Sequence, residues 1–495
     1  MSLIDTLVVK VSNLILQGAD MSDKQFFERE IQKWKNSPQR IMQIKGHLYY
    51  DNEHDILHRK RMMIGEGGEL QEVDNLPNNR LIDNQYAKLV NQKANYLLGQ
   101  PFAIEGENQQ YVELLKKVFN KRFMKTLKAA GKAMLNNGIC WLYPYYTETG
   151  EFSFRMFPGY EVLPFWKDTE HTILEAAVRL YLVVGYQGTT PVLIEKVEIY
   201  DLNGVHRFIL DGSTLIPDLQ GVDDNTSPYT TTTSEDGNTL PLNWAKVPLI
   251  PLKYNECEIP LLKKVKTLQD GINVMLSDFE NNMQEDARNT ILVLKNYDGE
   301  NLGEFRHNLS TYGAVKVRED GGVETLQVEI NAENYKGILE LLKKSLIENA
   351  RGYDAKDDRL SGNPNQMNIQ SMYSDIDLDA NGMETEFQAA FEELLWFINQ
   401  DFSNRGLGDY EGAELQIVFN RDILINETES IENCAKSVGI LSTETIVEQH
   451  PWVTDVEVEL ARLRKEKDEA MEQAQEYAGA FQTGNQNKGD NGEGE

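Results

Sequence analysis

Cysteine is scarce: Cys140, Cys257 and Cys434 are the only three in 495 residues, far apart and in no metal-ligand spacing. That excludes a disulfide framework and a cysteine-based zinc site, and it makes free thiols in a reducing compartment the default. Long hydrophobic runs are missing as well. Stretches such as Leu180 to Val184 fall far short of the ~20 apolar residues that a bilayer span requires, so no membrane partner is expected. The first 18 residues are apolar but interrupted by Asp5 and Lys10, with no basic leader and no small-residue cleavage site. They read as an amphipathic helix rather than a secretory signal.

Chemistry-bearing motifs are absent too. There is no glycine-rich loop ending in Gly-Lys-Ser or Gly-Lys-Thr, no nucleophile elbow and no His-Glu-x-x-His helix. The seven histidines are scattered, and His54 with His58, four apart, offers two ligands without a third. No catalytic residue, metal or cofactor is therefore expected, and the protein is not expected to be an enzyme. Cations are in deficit, with 49 Lys and Arg against 79 Asp and Glu for a net charge of −30. Affinity for nucleic acid comes mostly from neutralising phosphates, so this balance argues against a tight grip on DNA, though not against DNA passing a like-charged wall.

What the chain does have is helical periodicity. Leu261, Val265, Leu268, Ile272, Met275 and Phe279 recur at spacings of four and three, with Met283 one turn on. A seam this narrow suits helices packed side by side, and it predicts a packing face that one chain cannot fully bury. Tyr335, Leu339, Leu342, Leu346, Ala350 and Tyr353 mark a second helix, which gives out where residues 354–365 turn polar around Gly362 and Pro364. A third pattern runs from Ile369 through Met372, Ile376, Ala380, Met383, Phe387, Ala390, Leu394 and Ile398 to Phe402, with a bend expected at Gly382. No Lys or Arg lies between Arg359 and Arg405, yet Asp375, Asp377, Asp379, Glu384, Glu386, Glu392, Glu393 and Asp401 do.

Residues 26–100 look helical and polar, and contain Asn78-Asn79-Arg80 and a helix closed by Tyr96-Leu97-Leu98-Gly99-Gln100-Pro101. Another helix covers 108–137. Strand patterns follow at Ile139 to Tyr146, Phe152 to Phe157, Ala176 to Tyr186, Val192 to Tyr200, Arg207 to Leu210 and Thr214 to Ile216. Residues 217–240 read as a surface loop. Between the first two long helices, an insert holds a strand at Thr290 to Leu294 and a hairpin of Gly313 to Val317 with Val323 to Ile330, turning at Asp320-Gly321-Gly322. Beyond the third helix come a strand at Ala413 to Phe419, helices at Glu427 to Val438, Thr443 to Gln449 and about Val453 to Tyr477, and a polar tail expected to be disordered. The fold class is α+β.

Five stretches in this order carry a resemblance: Asn78-Asn79-Arg80 with Tyr96 to Pro101; Leu261-Leu262-Lys263-Lys264-Val265-Lys266-Thr267-Leu268; Asp320-Gly321-Gly322-Val323-Glu324-Thr325-Leu326; Leu394-Leu395-Trp396-Phe397-Ile398; and Gly439-Ile440-Leu441-Ser442-Thr443-Glu444-Thr445. Spanning about residues 30 to 475, the chain resembles the portal proteins of tailed bacteriophages, in the family typified by siphophages of Gram-positive hosts. The resemblance implies a portal fold with long stem helices, an α/β clip, an α+β wing containing a long bent helix, and a helical crown. Its boundaries are an N-terminal segment at 1–25, wing at 26–260, stem at 261–288, clip at 289–332, second stem helix at 333–353, tunnel loop at 354–367, wing at 368–420, crown at 421–478 and tail at 479–495.

The same resemblance implies a homo-oligomeric ring, twelve-fold in the virion, at one capsid vertex, assembled in the host bacterial cytoplasm. Double-stranded DNA would pass through its channel in packaging and ejection. The expected partners are the terminase large subunit, the major capsid and scaffolding proteins, and a head-completion or adaptor protein. Lys356, Asp357, Asp358, Arg359, Ser361, Asn363 and Asn365 would form the tunnel loop, and Asp375, Asp377, Asp379 and Glu384 an acidic channel wall. Lys295, Phe305, Lys316, Arg318 and Glu324 would lie at the clip interface. Two other classes stay open: an acidic capsid scaffolding protein without a DNA channel, which would lack the sheet from 139 to 216, and an enzyme with an unrecognised pocket.

Overall fold

The computed structural model describes residues 23–64, 68–74, 76–218, 225–233, 239–286, 291–297, 307, 317–326, 332–354, 366–421, 427–453 and 456–485. Two compact units divide the chain, one of residues 1–353 and 375–422, the other of residues 354–374 and 423–495.

In the first unit, α1 (Asp23–Lys35) and α2 (Pro38–Tyr50) meet at Ser37, whose hydroxyl accepts from the Arg40 N–H. Pro38 opens α2 where a missing N–H costs nothing. A hairpin of β1 (Met62–Ile64) and β2 (Leu70–Glu72) and an extended strap through residues 79–83 precede α3 (Gln85–Leu98), so the expectation of helix throughout 26–100 fails there. β3 (Ala103–Gly106) leads into α4 (Gln109–Val118) and α5 (Lys121–Asn137), capped by Asn108 and Asn120. α5 stops at Gly138, φ +81°, where a Cβ would lie 2.0 Å from the Glu258 carbonyl oxygen; glycine alone fits.

The strands are β4 (Ile139–Tyr146), β5 (Phe152–Pro158), β6 (Val162–Trp166), β7 (Leu174–Gln187), β8 (Thr190–Asp201), β9 (Gly204–Asp211), β10 (Thr214–Pro217), β11 (Thr226–Ser227), β12 (Thr230–Thr233), β13 (Thr239–Leu242) and β14 (Ile250–Lys253). One antiparallel sheet has the order β14-β4-β5; another is the meander β10-β9-β8-β7-β6, with β11 beside β9. The predicted loop at 217–240 therefore contains strands. Its threonine run, β-branched and suited to a pleated surface, pairs with Thr239–Leu242 as a hairpin.

α6 (Leu261–Asp286) and α7 (Ala332–Asn349) run antiparallel, and between them β15 (Ile291–Tyr297) pairs with β16 (Val317–Leu326). The turn expected at Asp320-Gly321-Gly322 does not form. These residues lie inside β16, where Asp320 takes φ +66° and the register shifts between Lys295 and Tyr297, a bulge that consumes the same glycine-rich flexibility a turn would need. α8 (Gln366–Asn404) is helical without interruption through Gly382. Its Met383, Phe387, Phe391, Leu394, Phe397 and Ile398 are buried in the main core with residues of α3, α5, β4 and α6. β17 (Leu415–Val418) closes the unit by pairing with β3, far back in the chain.

In the second unit, α9 (Glu427–Ser437), α10 (Thr443–Glu448) and α11 (Val456–Asn485) follow the predicted helices closely. Ser442 caps α10 by accepting from the Thr445 N–H. α11 continues to Asn485, through the first seven residues of the tail expected from 479.

Candidate functional site

The helix α6, expected from the resemblance to be a stem helix, has three distinct faces. Leu261, Val265 and Ile272 are fully buried within the chain, packed with Leu262 into the main core, and Leu268 is half-buried against it. This corrects the expectation of a seam left open for another subunit: over its first half the seam is consumed by the chain's own helices. Further along, Met275 and Phe279 turn toward α7. Phe279 packs on Tyr335 at 5.1 Å between ring centres, Asn282 donates to the Tyr335 hydroxyl at 3.0 Å, and Gly271 lets Leu342 approach. A small cavity of about 190 Å³ remains there, lined by Met275, Leu276, Phe279, Tyr335 and Leu339.

The third face was not anticipated. Gln269, Asn273, Ser277 and Asn281, each four residues apart, are all at most 1% exposed. They receive the backbone of the strap and of the first turn of α3: Asn79 N–H donates to Asn281 Oδ1 (2.7 Å), Leu81 N–H to Ser277 Oγ (2.9 Å), Asp83 N–H to Asn273 Oδ1 (3.1 Å) and, in α3, Tyr86 N–H to Gln269 Oε1 (3.0 Å). Four residues of helix rise about 6 Å and two residues of extended chain about 6.6 Å. The two repeats match, so the helix offers a ladder of side-chain acceptors to alternate strand amides. Gln269 also returns a bond to the Asp83 carbonyl, and Asn273 donates to His54 Nδ1 at 2.8 Å while His54 Nε2 faces the Tyr49 carbonyl at 3.0 Å. Both ring nitrogens of His54 are thus engaged, and burial lowers its pKa, so it sits as a neutral core histidine rather than half of a metal pair with His58. The signal is in the sequence: polar side chains at strict four-residue spacing on one face of an otherwise apolar-seamed helix.

The four acids expected along α8 differ sharply in setting. Asp375 is exposed. Asp379 is buried, bonded by Lys93 Nζ at 2.7 Å and by the Tyr254 hydroxyl at 3.0 Å; Lys93, 2% exposed, also donates to the Arg351 carbonyl. Burial, opposed by Asp379, lowers the Lys93 pKa, and burial beside Asp379 pushes Tyr254 well above its ordinary value. Removing one member of such a pair costs about 3–5 kcal/mol because the other charge is stranded. Asp377 and Glu384 share Arg421, at 2.7 and 2.9 Å, and the Tyr96 hydroxyl adds a bond to Asp377. Much of the negative charge read on this helix is therefore compensated by cations of the same chain.

The residues leading into the expected tunnel loop are fixed. Gln92 of α3 grips the backbone of Tyr353 twice, donating to its carbonyl at 2.8 Å and accepting from its N–H at 3.2 Å. Gly352 lies so close that a Cβ would meet Leu89 at 2.4 Å. The loop residues Lys356, Asp357, Asp358, Arg359, Ser361, Asn363 and Asn365 lie outside the described residues, as do Phe305 and Lys316 of the clip. Lys295 and Arg318 are exposed on β15 and β16, and Glu324 stands opposite Val293 in their register.

Comparison with known proteins gives a consistent result. The model of the family described as phage portal protein, SPP1 Gp6-like, matches residues 28–473. The portal protein of Bacillus phage SPP1 is 31% identical over 432 residues, covering 87% of this chain and 84% of its own length. That of Clostridium phage phiCD119 is 28% identical over 467 residues, 89% and 95% respectively. Among solved structures, a chain from the virion of a native gene transfer agent particle matches with a TM-score of 0.40 at 12% identity, covering 72% of this chain and 87% of that one.

Proposed function

The chain belongs to the SPP1 Gp6-like family of phage portal proteins, and on that basis we propose that its copies form a closed ring of twelve at one capsid vertex, around a channel for double-stranded DNA. The family match over residues 28–473 carries this conclusion, and it leaves the scaffolding and enzyme alternatives without support. Residues 289–332 are the proposed clip, docking the terminase large subunit during packaging and a head-completion protein afterwards, with Lys295, Phe305, Lys316, Arg318 and Glu324 at that contact. Residues 354–367 are the proposed loop nearest the DNA, and α8 follows it in the chain, with Asp375 exposed and without an ion pair among the described residues. The protein's role is to hold, guide and let pass; no catalytic step is assigned to it.

The channel is proposed to be weakly repulsive rather than adhesive. A net charge of −30 per copy sets the sign of the field, and the pairing of Asp377, Asp379 and Glu384 with Lys93 and Arg421 moderates it near the wall. Duplex DNA mixed with the purified protein at physiological ionic strength should show no tight complex by electrophoretic mobility or anisotropy. Tight binding that weakens steeply with added salt would overturn the repulsive channel, since that slope counts phosphates neutralised.

A further inference from the structure

Two unlike surfaces flank the stem, and each carries a charge with no ion-pair partner among the described residues. On α6, the contacts to α7 at Gly271, Met275 and Phe279 each fall two residues after a rung of the polar ladder at Gln269, Asn273 and Ser277. Two residues turn a helix by about 200°, so the strap's Asn79 to Leu81 lie on the side of α6 away from α7, while Asp83 at its far end reaches α7 through an ion pair with Lys343 at 2.6 Å. The ladder takes the amides of Asn79, Leu81 and Asp83. Those of Arg80 and Ile82 point to the other edge, where no described residue bonds them. The Arg80 side chain is exposed and has no ion-pair partner among the described residues, and Leu81 is 41% exposed. On the far flank, the face of α7 turned away from α6 carries Glu333, exposed and likewise without a described partner, then Gly337 with open space over its α-carbon, then Leu341 at 63% exposure.

The levels of these groups along the stem agree. Phe279 meets Tyr335 and Gly271 meets Leu342, which puts position 277 of α6 level with about position 337 of α7. Leu81 is bonded to Ser277 and so stands at the height of Gly337, and Arg80, one residue toward Asn281, stands within about one turn of Glu333. Copies in a closed ring are related by rotation without translation, so for a stem that runs along the ring axis surfaces that meet lie at equal height, and they are unlike, because head-to-tail contact is heterologous. Both conditions hold here.

We propose that the strap of one copy docks on α7 of the next, with Arg80 paired to the neighbour's Glu333 and Leu81 seated over its Gly337 beside Leu341. The occupant of the strap's open edge is thus a second copy of this chain; the claim rests on the ring proposed above and adds the residues that close it. The ladder then has a purpose beyond packing: it holds five residues of extended chain rigid against a helix so that their outer side meets the neighbour without an ordering cost.

The test uses the full-length chain and charge exchange. Arg80→Glu and Glu333→Arg should each raise the protein concentration needed for assembly by about tenfold, as expected for juxtaposed like charges at each interface of the ring, and the double variant should recover it. Both side chains are exposed, so far-UV circular dichroism and the Tm of the subunits should stay as in the wild type. In a Cys257→Ser background, Leu81→Cys combined with Gly337→Cys should give, on oxidation, a ladder of covalent multimers that neither single cysteine gives. Wild-type rings with no rescue in the double variant and no multimer ladder would overturn this contact while leaving the ring in place. Wild-type protein that never assembles would overturn both.

Discussion

At the scale of single residues, burial on α8 decides which acids behave as acids. Glu393 has its carboxyl pushed up to about 7 by loss of solvent, with Lys246 pulling weakly the other way. Its folded value therefore lies above the unfolded one, near 4.3. Such a group contributes stability that is fully present below about pH 4.3 and is lost as pH rises through 7, beyond which an ionised carboxylate is held in poor solvent. Glu393→Gln removes the ionisation. The variant should match the wild type near pH 5 and exceed it by about 1–3 kcal/mol at pH 8.5, read from Tm or denaturant midpoints at the two pH values. An equal difference at both would show that Glu393 titrates normally. The acids themselves were legible from the sequence, since an unbroken gap in Lys and Arg is a matter of composition. Which of them are silenced was not: Lys93 and Arg421 reach Asp379 and Asp377 from elements 286 and 44 residues away, and no local pattern reports that.

At the scale of elements, helices and paired strands followed their periodicity. β4 spans the expected Ile139–Tyr146, and β7 to β10 match within two or three residues, because alternation and turn residues act locally. The failures occurred where a tertiary partner set the conformation. Asp320-Gly321-Gly322 became a bulge because β15 pairs on both sides of it, and residues 79–83 became a strap because α6 supplies their hydrogen bonds. That strap yields a sharp expectation for the unassembled chain. By hydrogen exchange, the amides of Asn79, Leu81 and Asp83 should be protected and those of Arg80 and Ile82 fast, an alternation that a helix or a free loop would not produce. Asn273→Ala, which strands the Asp83 amide and frees His54, should cost about 1–3 kcal/mol and erase the protection. Uniform exchange across 79–83 in the wild type would show that the ladder does not hold.

At the scale of the whole molecule, five short stretches in the right order were enough to expect the family, and the match over residues 28–473 bears that out. The stem was legible as helices but misjudged as an interface. Leu261, Val265 and Ile272 carry the same hydrophobic pattern whether they face a neighbour or the chain's own α3 and α5, and only the fold distinguishes the two. The uncovered surface lies elsewhere, at Met283, Ile338 and Leu341, which are 46–63% exposed, and at the edge of the strap. The ring proposed above would hide these flanks and spread the charge of −30 around its channel. Particle images of the purified full-length protein decide whether that ring exists. Rotationally symmetric rings with a central hole wide enough for duplex DNA are expected; compact particles or dimers without a hole, at concentrations well above those of assembly in the cell, would rule the ring out.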